Sequence, residues 1–243
     1  MRAPHLFAAL VLALPASAGW PANFYPSNVA SGWVQPVGLT FAADGRMLVW
    51  EKSGRVWLVE NGVKSATPLL DLHEEVGDWR DYGMLGFTLD PDFLSNGYIY
   101  CAYDVDWHHA RWFGTPTYDP NTNEYFHDTI GRVTRYQCNS SDGFRSVDYA
   151  SRTILIGESL STGVPICHQS HGIGSLVFGA DGTLLLSCGD AASYDEVDAG
   201  QNTAGSSNTA FADGILQSKE RIGAFRAQLV DSHDGKLLRF DPA

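Results

Sequence analysis

His171 and Asp190 are the residues whose types and positions best suit proton-transfer chemistry. His171 comes just before an apolar run, and Asp190 follows a second apolar run that Asp181-Gly182 joins to the first. Two strands joined by a tight turn form a hairpin, so both side chains should meet at one end of it. A carboxylate that accepts a hydrogen bond from one imidazole nitrogen fixes the tautomer and leaves the other nitrogen to take a proton. The pair is therefore a candidate general base.

Cysteines near this pair permit other interpretations. Cys167, His168 and Cys188 have the side-chain types of a zinc site, although no tight Cys-x-x-Cys pair accompanies them. In an oxidising compartment the four cysteines permit two disulfides. If the runs that end in Cys101 and Cys138 are neighbouring strands, a Cys101–Cys138 bridge is the expected pairing. Four small buried side chains are the remaining interpretation.

The hairpin pattern occurs three times along the chain. Each copy is an apolar run, an Asp-containing turn and a second apolar run, at residues 37–50, 85–100 and 175–187. A third strand is predicted for each unit, at residues 54–59, 130–136 and 234–240. The spacing between the first two turns, at Asp44 and Asp90, is that of a four-stranded propeller blade, roughly 40–50 residues. The repeats predict an all-β fold with radial blades.

Two long insertions separate these strands, at about residues 104–129 and about 191–231. Loops of this length are usually functional or partly disordered. In the first, His108 and His109 lie among aromatic residues that either stack on a sugar ring or pack within the loop. In the second, Arg226 is either a solvated loop residue or a side chain that reaches the candidate site. About three blades are present, and propellers typically have four to eight. We therefore expect a partial, unclosed propeller, the N-terminal part of a longer protein.

Composition and the first residues bear on partners and compartment. The chain has 243 residues, 44% hydrophobic and 18% charged, with a formal net charge of −12. Such a charge argues against nucleic acid and anionic membranes as partners. Arg2, the apolar run 6–14 and Ala16-Ser17-Ala18 form a signal-peptide pattern over residues 1–18. Since no later apolar run is long enough to span a bilayer, we expect a secreted or periplasmic domain over residues 19–243 without membrane insertion.

Several motifs together resemble the soluble glucose/sorbosone dehydrogenases, six-bladed β-propellers that depend on pyrroloquinoline quinone (PQQ). The resemblance spans roughly Val37 to Pro242. Its specific parts are Gly83-Met-Leu-Gly-Phe87, Asp90-Pro-Asp-Phe93, Asn96-Gly-Tyr98, His171-x-x-Gly174-x-Leu176, Phe178-Gly179, Asp181-Gly182, Gly189-Asp190 and Gly235-Lys-Leu-Leu-Arg239.

The resemblance implies roles for three residues. His171 matches the catalytic histidine that takes the proton of the sugar C1 hydroxyl, and Asp190 matches the carboxylate that orients it. Asp81 occupies a position that faces the quinone. The family also implies PQQ and calcium as cofactors and an external electron acceptor. Ser170 stands where the family often has Asp, and the basic loop and calcium ligands of the family are missing, so most cofactor ligands are absent from this chain.

These observations predict an exported PQQ-dependent oxidoreductase that acts on the CH–OH group of aldose sugars or related polyols. This chain would be its N-terminal part, inactive alone. The alternative is a non-catalytic propeller that binds carbohydrate or protein through its long loops. A third interpretation is a fragment without independent function, whose exposed strand edges would make it aggregate.

Overall fold

Antiparallel β-sheets dominate the computed structural model, which describes residue 21 and residues 23–195, 197–200 and 205–242. The signal-peptide prediction for residues 1–18 lies outside these ranges. The first sheet holds β1 (Pro36–Phe41), β2 (Met47–Glu51), β3 (Arg55–Glu60), β4 (Val63–Lys64) and β5 (Leu70–Asp71). The second holds β6 (Met84–Leu89), β7 (Tyr98–Asp104), β8 (Thr129–Cys138), β9 (Val147–Ile156) and β10 (Val164–Ile166). The third holds β11 (Ile173–Phe178), β12 (Leu184–Cys188) and β13 (Leu237–Phe240).

All three predicted hairpins are confirmed, as β1–β2, β6–β7 and β11–β12. Gly45 and Gly182 have φ angles of +88° and +79°, which explains the Asp-Gly turns, since glycine adopts positive φ without steric cost. The middle hairpin turns through a short helix, α1 (Phe93–Asn96). The predicted third strands are β3, β8 and β13. Strands β9 and β10 extend the second sheet beyond expectation by pairing with opposite halves of β8.

Strand β6 lies between the first strands of the other two sheets, β1 and β11. The approach to β11 is close, because a Cβ on Gly86 would sit 2.7 Å from the carbonyl oxygen of Gly174. One apolar core fills the space between the first and second sheets, and another lies between the second and third. The described sheets therefore follow one another like blades and do not close into a ring. Leu39 and Phe41 on β1 face solvent.

The connection between β7 and β8 contains helix α2 (Trp107–Trp112), which carries His108 and His109. Both histidines are buried. His108 contacts Glu124 at 3.0 Å, and His109 stacks on Phe113 with ring centroids 4.5 Å apart. Burial is the largest cause that lowers the pKa of His109, to about 4. These histidines therefore pack within their loop.

The connection between β12 and β13 contains helix α3 (Gly205–Ala212) and 3₁₀ turns at Ser218–Glu220 and Gly223–Gln228. Arg226, on the last of these turns, is fully buried. The interpretation of Arg226 as a solvated loop residue is therefore wrong, and the side chain instead reaches the turn that follows Asp190, with Nη2 3.1 Å from the carbonyl oxygen of Ala191. Its guanidinium lies 2.9 Å from Asp198 and 3.1 Å from Asp234, and the Asp198 carboxylate supplies the charge that a buried cation needs.

The cysteines are free thiols and all four are buried. The predicted Cys101–Cys138 bridge is wrong, because the register of β7 and β8 pairs Cys101 with Thr134 and Tyr98 with Gln137. Cys138 thus lies one residue past the position opposite the start of β7, displaced along the sheet from Cys101. Burial is the largest cause that raises the pKa of each thiol, to about 12 for Cys138 and Cys188. The four cysteines serve as small buried side chains.

Helices in the described ranges are all too short or too polar to cross a bilayer.

Candidate active site

His171 and Asp190 meet at one end of the third sheet. His171 precedes β11 and Asp190 follows β12, and Nδ1 of His171 lies 2.9 Å from Oδ1 of Asp190. Oδ1 also accepts a hydrogen bond from the backbone N–H of Ala192 at 3.1 Å, which holds the carboxylate in place. The His171 side chain is 47% exposed and that of Asp190 is 32% exposed. The predicted pairing is therefore present, with the imidazole open to an incoming molecule.

The backbone around this pair is strained. His171 and Ala191 have φ angles of +59° and +55°, in the left-handed region that non-glycine residues seldom adopt. They are joined by a hydrogen bond of 3.1 Å from the N–H of Ala191 to the carbonyl oxygen of His171. Gly189 fits beneath them, since a Cβ there would lie 2.2 Å from the same oxygen. Strain of this kind concentrates at functional sites and persists only where surrounding contacts enforce it.

Asp104 joins the turns on either side of the site. It is completely buried at the end of β7, where it accepts hydrogen bonds from the N–H of Gly83 at 3.0 Å and from that of Ile173 at 3.4 Å. Burial raises its pKa well above the ordinary value. Sequence reasoning missed this residue, although a carboxylate that ends an otherwise apolar strand was a signal for it.

Asp81 lies beside the histidine turn. Its backbone N–H donates a hydrogen bond of 3.2 Å to the carbonyl oxygen of Gln169, two positions before His171, and Asp81 is exposed. Ser170 is buried instead, with 2% of its surface exposed. The structure thus brings Asp81 close to the His171 turn, while Ser170 faces the interior.

Two cations accompany Asp81, and sequence reasoning singled out neither. The ammonium group of Lys52 donates a hydrogen bond to the carbonyl oxygen of Arg80, and Arg80 itself is exposed. Within the described part of the chain, neither side chain has a carboxylate within 4.0 Å. Gly83 permits this arrangement, because a Cβ there would meet Cγ of Lys52 at 2.5 Å.

The three-bladed sheet arrangement, with a histidine–aspartate pair at the end of one blade, places the molecule among β-propellers of the sugar dehydrogenase type. The chain belongs to the Glucose / Sorbosone dehydrogenase family, whose profile matches residues 33–219.

Solved structures agree on the fold. The PQQ-bound aldose sugar dehydrogenase from Streptomyces coelicolor superposes with a TM-score of 0.56 at 19% identity, over 89% of this chain and 47% of that one. A glucose dehydrogenase-type oxidoreductase from Thermus thermophilus gives 0.55 at 22% identity, over the same shares. This chain therefore spans about half the length of these proteins.

One similar protein is named for a protein interaction and not for a dehydrogenase activity. Human Hedgehog-interacting protein is 31% identical over 176 residues, which cover 69% of this chain and 22% of that protein. The chain thus spans about a fifth of this relative.

The site fits part of what PQQ would need. PQQ carries three carboxylates, and Lys52 and Arg80 supply two cations without carboxylate partners beside Asp81, suited to charge-assisted hydrogen bonds. Calcium fits less well, because the described residues contain no group of three or more His, Cys, Asp or Glu side chains placed to hold a metal ion. The same observation leaves the zinc interpretation of Cys167, His168 and Cys188 without support.

Proposed function

We propose that the chain is the base-bearing part of an exported PQQ-dependent oxidoreductase that acts on the CH–OH group of an aldose or related polyol. The observation that carries the proposal is the 2.9 Å contact between Nδ1 of His171 and Oδ1 of Asp190, with the imidazole half exposed. Family membership supplies the chemical context. An external electron acceptor would complete the cycle.

Each residue of the pair has a defined task in this reaction. Asp190 accepts the hydrogen bond from Nδ1–H, which leaves the Nε2 lone pair free to accept a proton. A hydroxyl group of the substrate donates that proton as its carbon is oxidised to a carbonyl. Asp190 then lies next to the imidazolium and stabilises its charge.

The cofactor, when bound, would accept the hydride that leaves the same carbon. Lys52 and Arg80 are the residues suited to hold one of its carboxylates, and Asp81 lies next to Arg80 in the chain. No step of this proposal depends on calcium.

Dye-linked turnover of an aldose by the full-length host protein, supplied with PQQ and calcium, tests the proposal. We expect His171→Ala to lower kcat by about 10²–10⁴, the usual contribution of a general base. His73→Ala is a matched control, because His73 is also 47% exposed and its Nδ1 lies 2.8 Å from Oδ1 of Asp71. His73→Ala should leave turnover unchanged. Turnover that survives His171→Ala would refute the proposed base.

A second candidate function is a non-catalytic propeller that binds a protein or a glycan. It is favoured by the 31% identity to a protein named for its interaction with hedgehog. The two functions differ in a simple readout, because this one predicts saturable binding without any quinone-dependent turnover. Binding that is insensitive to His171→Ala would support it further.

A further inference from the structure

A cavity of about 450 Å³ lies beside the turn that carries His171. Trp79 and Phe126 form apolar walls, and Asp128, His168 and Gln169 contribute polar groups. We refer to it as the Trp79 cavity. Its size falls within the range of small-molecule sites, roughly 300–1,000 Å³, and its mixture of aromatic and polar groups is typical of them. The reaction proposed above gives it no task.

Phe126, which forms part of the aromatic wall, has an unfavourable backbone conformation. Phe126 is 77% exposed, yet its ring centroid lies 4.6 Å from that of Trp79. Its φ angle is +68°, in the left-handed region that bulky residues rarely adopt. Burial in the core does not explain this backbone conformation, because the Phe126 ring is exposed. The ring is therefore available to contact a ligand.

Two buried polar atoms of the same cavity lack a hydrogen-bond partner, although Nε2 of His168 lies 3.4 Å from Oδ2 of Asp195 and the Asp128 carboxyl group also bonds to Thr209. Nδ1 of His168 and Oδ2 of Asp128 are buried, and neither has a hydrogen-bond partner among the described residues. Burial of a polar atom without a partner is unfavourable, so a ligand group that bonds to either atom would be favoured. Gln169 directs its amide nitrogen to the hydroxyl of Tyr194 at 2.7 Å, which fixes the side chain at the cavity wall.

The cavity lies next to the turn that carries His171, although neither His171 nor Asp190 is one of its lining residues. Gln169 lines it, and the carbonyl oxygen of Gln169 receives the hydrogen bond from Asp81. His171 follows two residues later, a Cα separation of at most roughly 7 Å. A molecule with one ring in the cavity and the next ring at His171 would span this distance, whereas a monosaccharide would occupy one position only.

The chemistry of the walls favours a neutral carbohydrate. Aromatic faces suit the C–H surface of a pyranose ring, and amide, imidazole and carboxyl groups suit its hydroxyls. The net charge of −12 disfavours anionic ligands. Burial is also the largest cause that raises the pKa of Asp128, which reduces its attraction for a cation.

We propose that the Trp79 cavity is a subsite for one pyranose ring of an oligosaccharide whose neighbouring ring lies at His171. This inference rests on the proposed function for the position of the reacting ring. It deepens that function by naming an oligosaccharide as the substrate class.

Calorimetric titration of the full chain with maltotriose and with glucose tests the subsite without requiring turnover. Phe126→Gly removes the ring and relieves the positive φ, so the variant should fold at least as well as the wild type. We expect Phe126→Gly and Trp79→Ala to weaken maltotriose binding about tenfold, which corresponds to about 1.4 kcal/mol. Tyr25→Ala is the control, because Tyr25 is 87% exposed and does not line the cavity. It should leave maltotriose affinity unchanged.

The outcomes separate this inference from the proposed function. Maltotriose binding that depends on Trp79 and Phe126 but is unaccompanied by turnover would refute the oxidoreductase and keep the carbohydrate subsite. The subsite is overturned if maltotriose fails to bind, or if it binds the Trp79 and Phe126 variants as tightly as the wild type. Choline binding in place of maltotriose would also overturn it, since the cavity would then recognise a cation.

Discussion

Nη2 of Arg226 donates a hydrogen bond of 3.1 Å to the carbonyl oxygen of Ala191, the residue that follows Asp190. The same nitrogen lies 2.9 Å from Oδ2 of Asp198, and Asp198 is buried. The connection between β12 and β13 therefore folds back and supports the turn that presents Asp190. This connection resembles a surface loop in the sequence, but in the structure it supports the candidate site.

Arg226→Ala should lower the free energy of unfolding by about 3–5 kcal/mol. The substitution removes the cation from a buried cluster and leaves the carboxylate of Asp198 and the carboxyl group of Asp234 without it. Urea denaturation measures the change. Arg55→Ala is the control, because Arg55 is partly exposed in its pair with Asp71. This substitution should lower the free energy of unfolding by less than about 1 kcal/mol. Equal losses in the two variants would show that the Arg226 cluster contributes no more than a surface pair.

Asp234→Asn should change how stability depends on pH. Burial outweighs the attraction of Arg226 and raises the pKa of Asp234 to about 8. An unfolded aspartate titrates near 3.9, so from about pH 4 to about pH 8 the folded chain holds a proton that the unfolded chain releases. The contribution of Asp234 to the free energy of unfolding therefore falls as pH rises through this window and is constant above it.

The asparagine variant lacks this dependence, so its stability relative to the wild type should increase from about pH 5 to about pH 9. Urea midpoints measured at these values provide the test. Asp231→Asn, at an exposed aspartate, should give a constant difference over the same range. A constant difference for Asp234→Asn as well would mean that Asp234 is ionised throughout.

Gly189→Ala should disrupt the candidate site more than a glycine substitution at an ordinary turn. The added Cβ would lie 2.2 Å from the carbonyl oxygen of His171, and this backbone atom cannot move without displacing the histidine. We expect a loss of about 3 kcal/mol in the free energy of unfolding. Gly182→Ala, where a Cβ meets open space but φ is +79°, should cost about 1 kcal/mol. The prediction fails if Gly189→Ala is the milder change.

Thiol titration should find all four cysteines unreactive in the folded chain. Each thiol is buried, and burial raises its pKa, so the reactive thiolate is scarce at neutral pH. In denaturant without reductant, a colorimetric thiol reagent should count four free thiols. A count of two would indicate that one disulfide forms in the exported protein, contrary to the structure.

Local sequence signals predicted the three hairpins, the third strand of each sheet and the His171–Asp190 pairing of the site. Apolar runs on both sides of Asp44-Gly45 and Asp181-Gly182 predict hairpins, because a tight turn with positive φ brings neighbouring strands together. His171 and Asp190 flank one such hairpin, so their contact follows from short-range geometry. The roles of these two residues and of Asp81 in catalysis are proposals, which the turnover experiment addresses.

Contacts between distant segments determine the features of the site that lie outside the hairpins. The sequence left the position of Arg226 open and gave no sign of Asp104 or Lys52 at the site, because their positions depend on how distant segments dock. The register of β7 and β8 separates Cys101 from Cys138, although both end strand-like runs. The Trp79 cavity likewise joins Trp79, Phe126 and Gln169, which lie far apart in the chain.

The sequence alone therefore determined the blades and the histidine–aspartate pair, since turn preferences and alternation act within a few residues. Only the tertiary structure decided which charges are buried, that Cys101 and Cys138 lie apart, and which loops enclose a cavity. These features depend on packing between segments separated by dozens of residues, for which no local pattern exists.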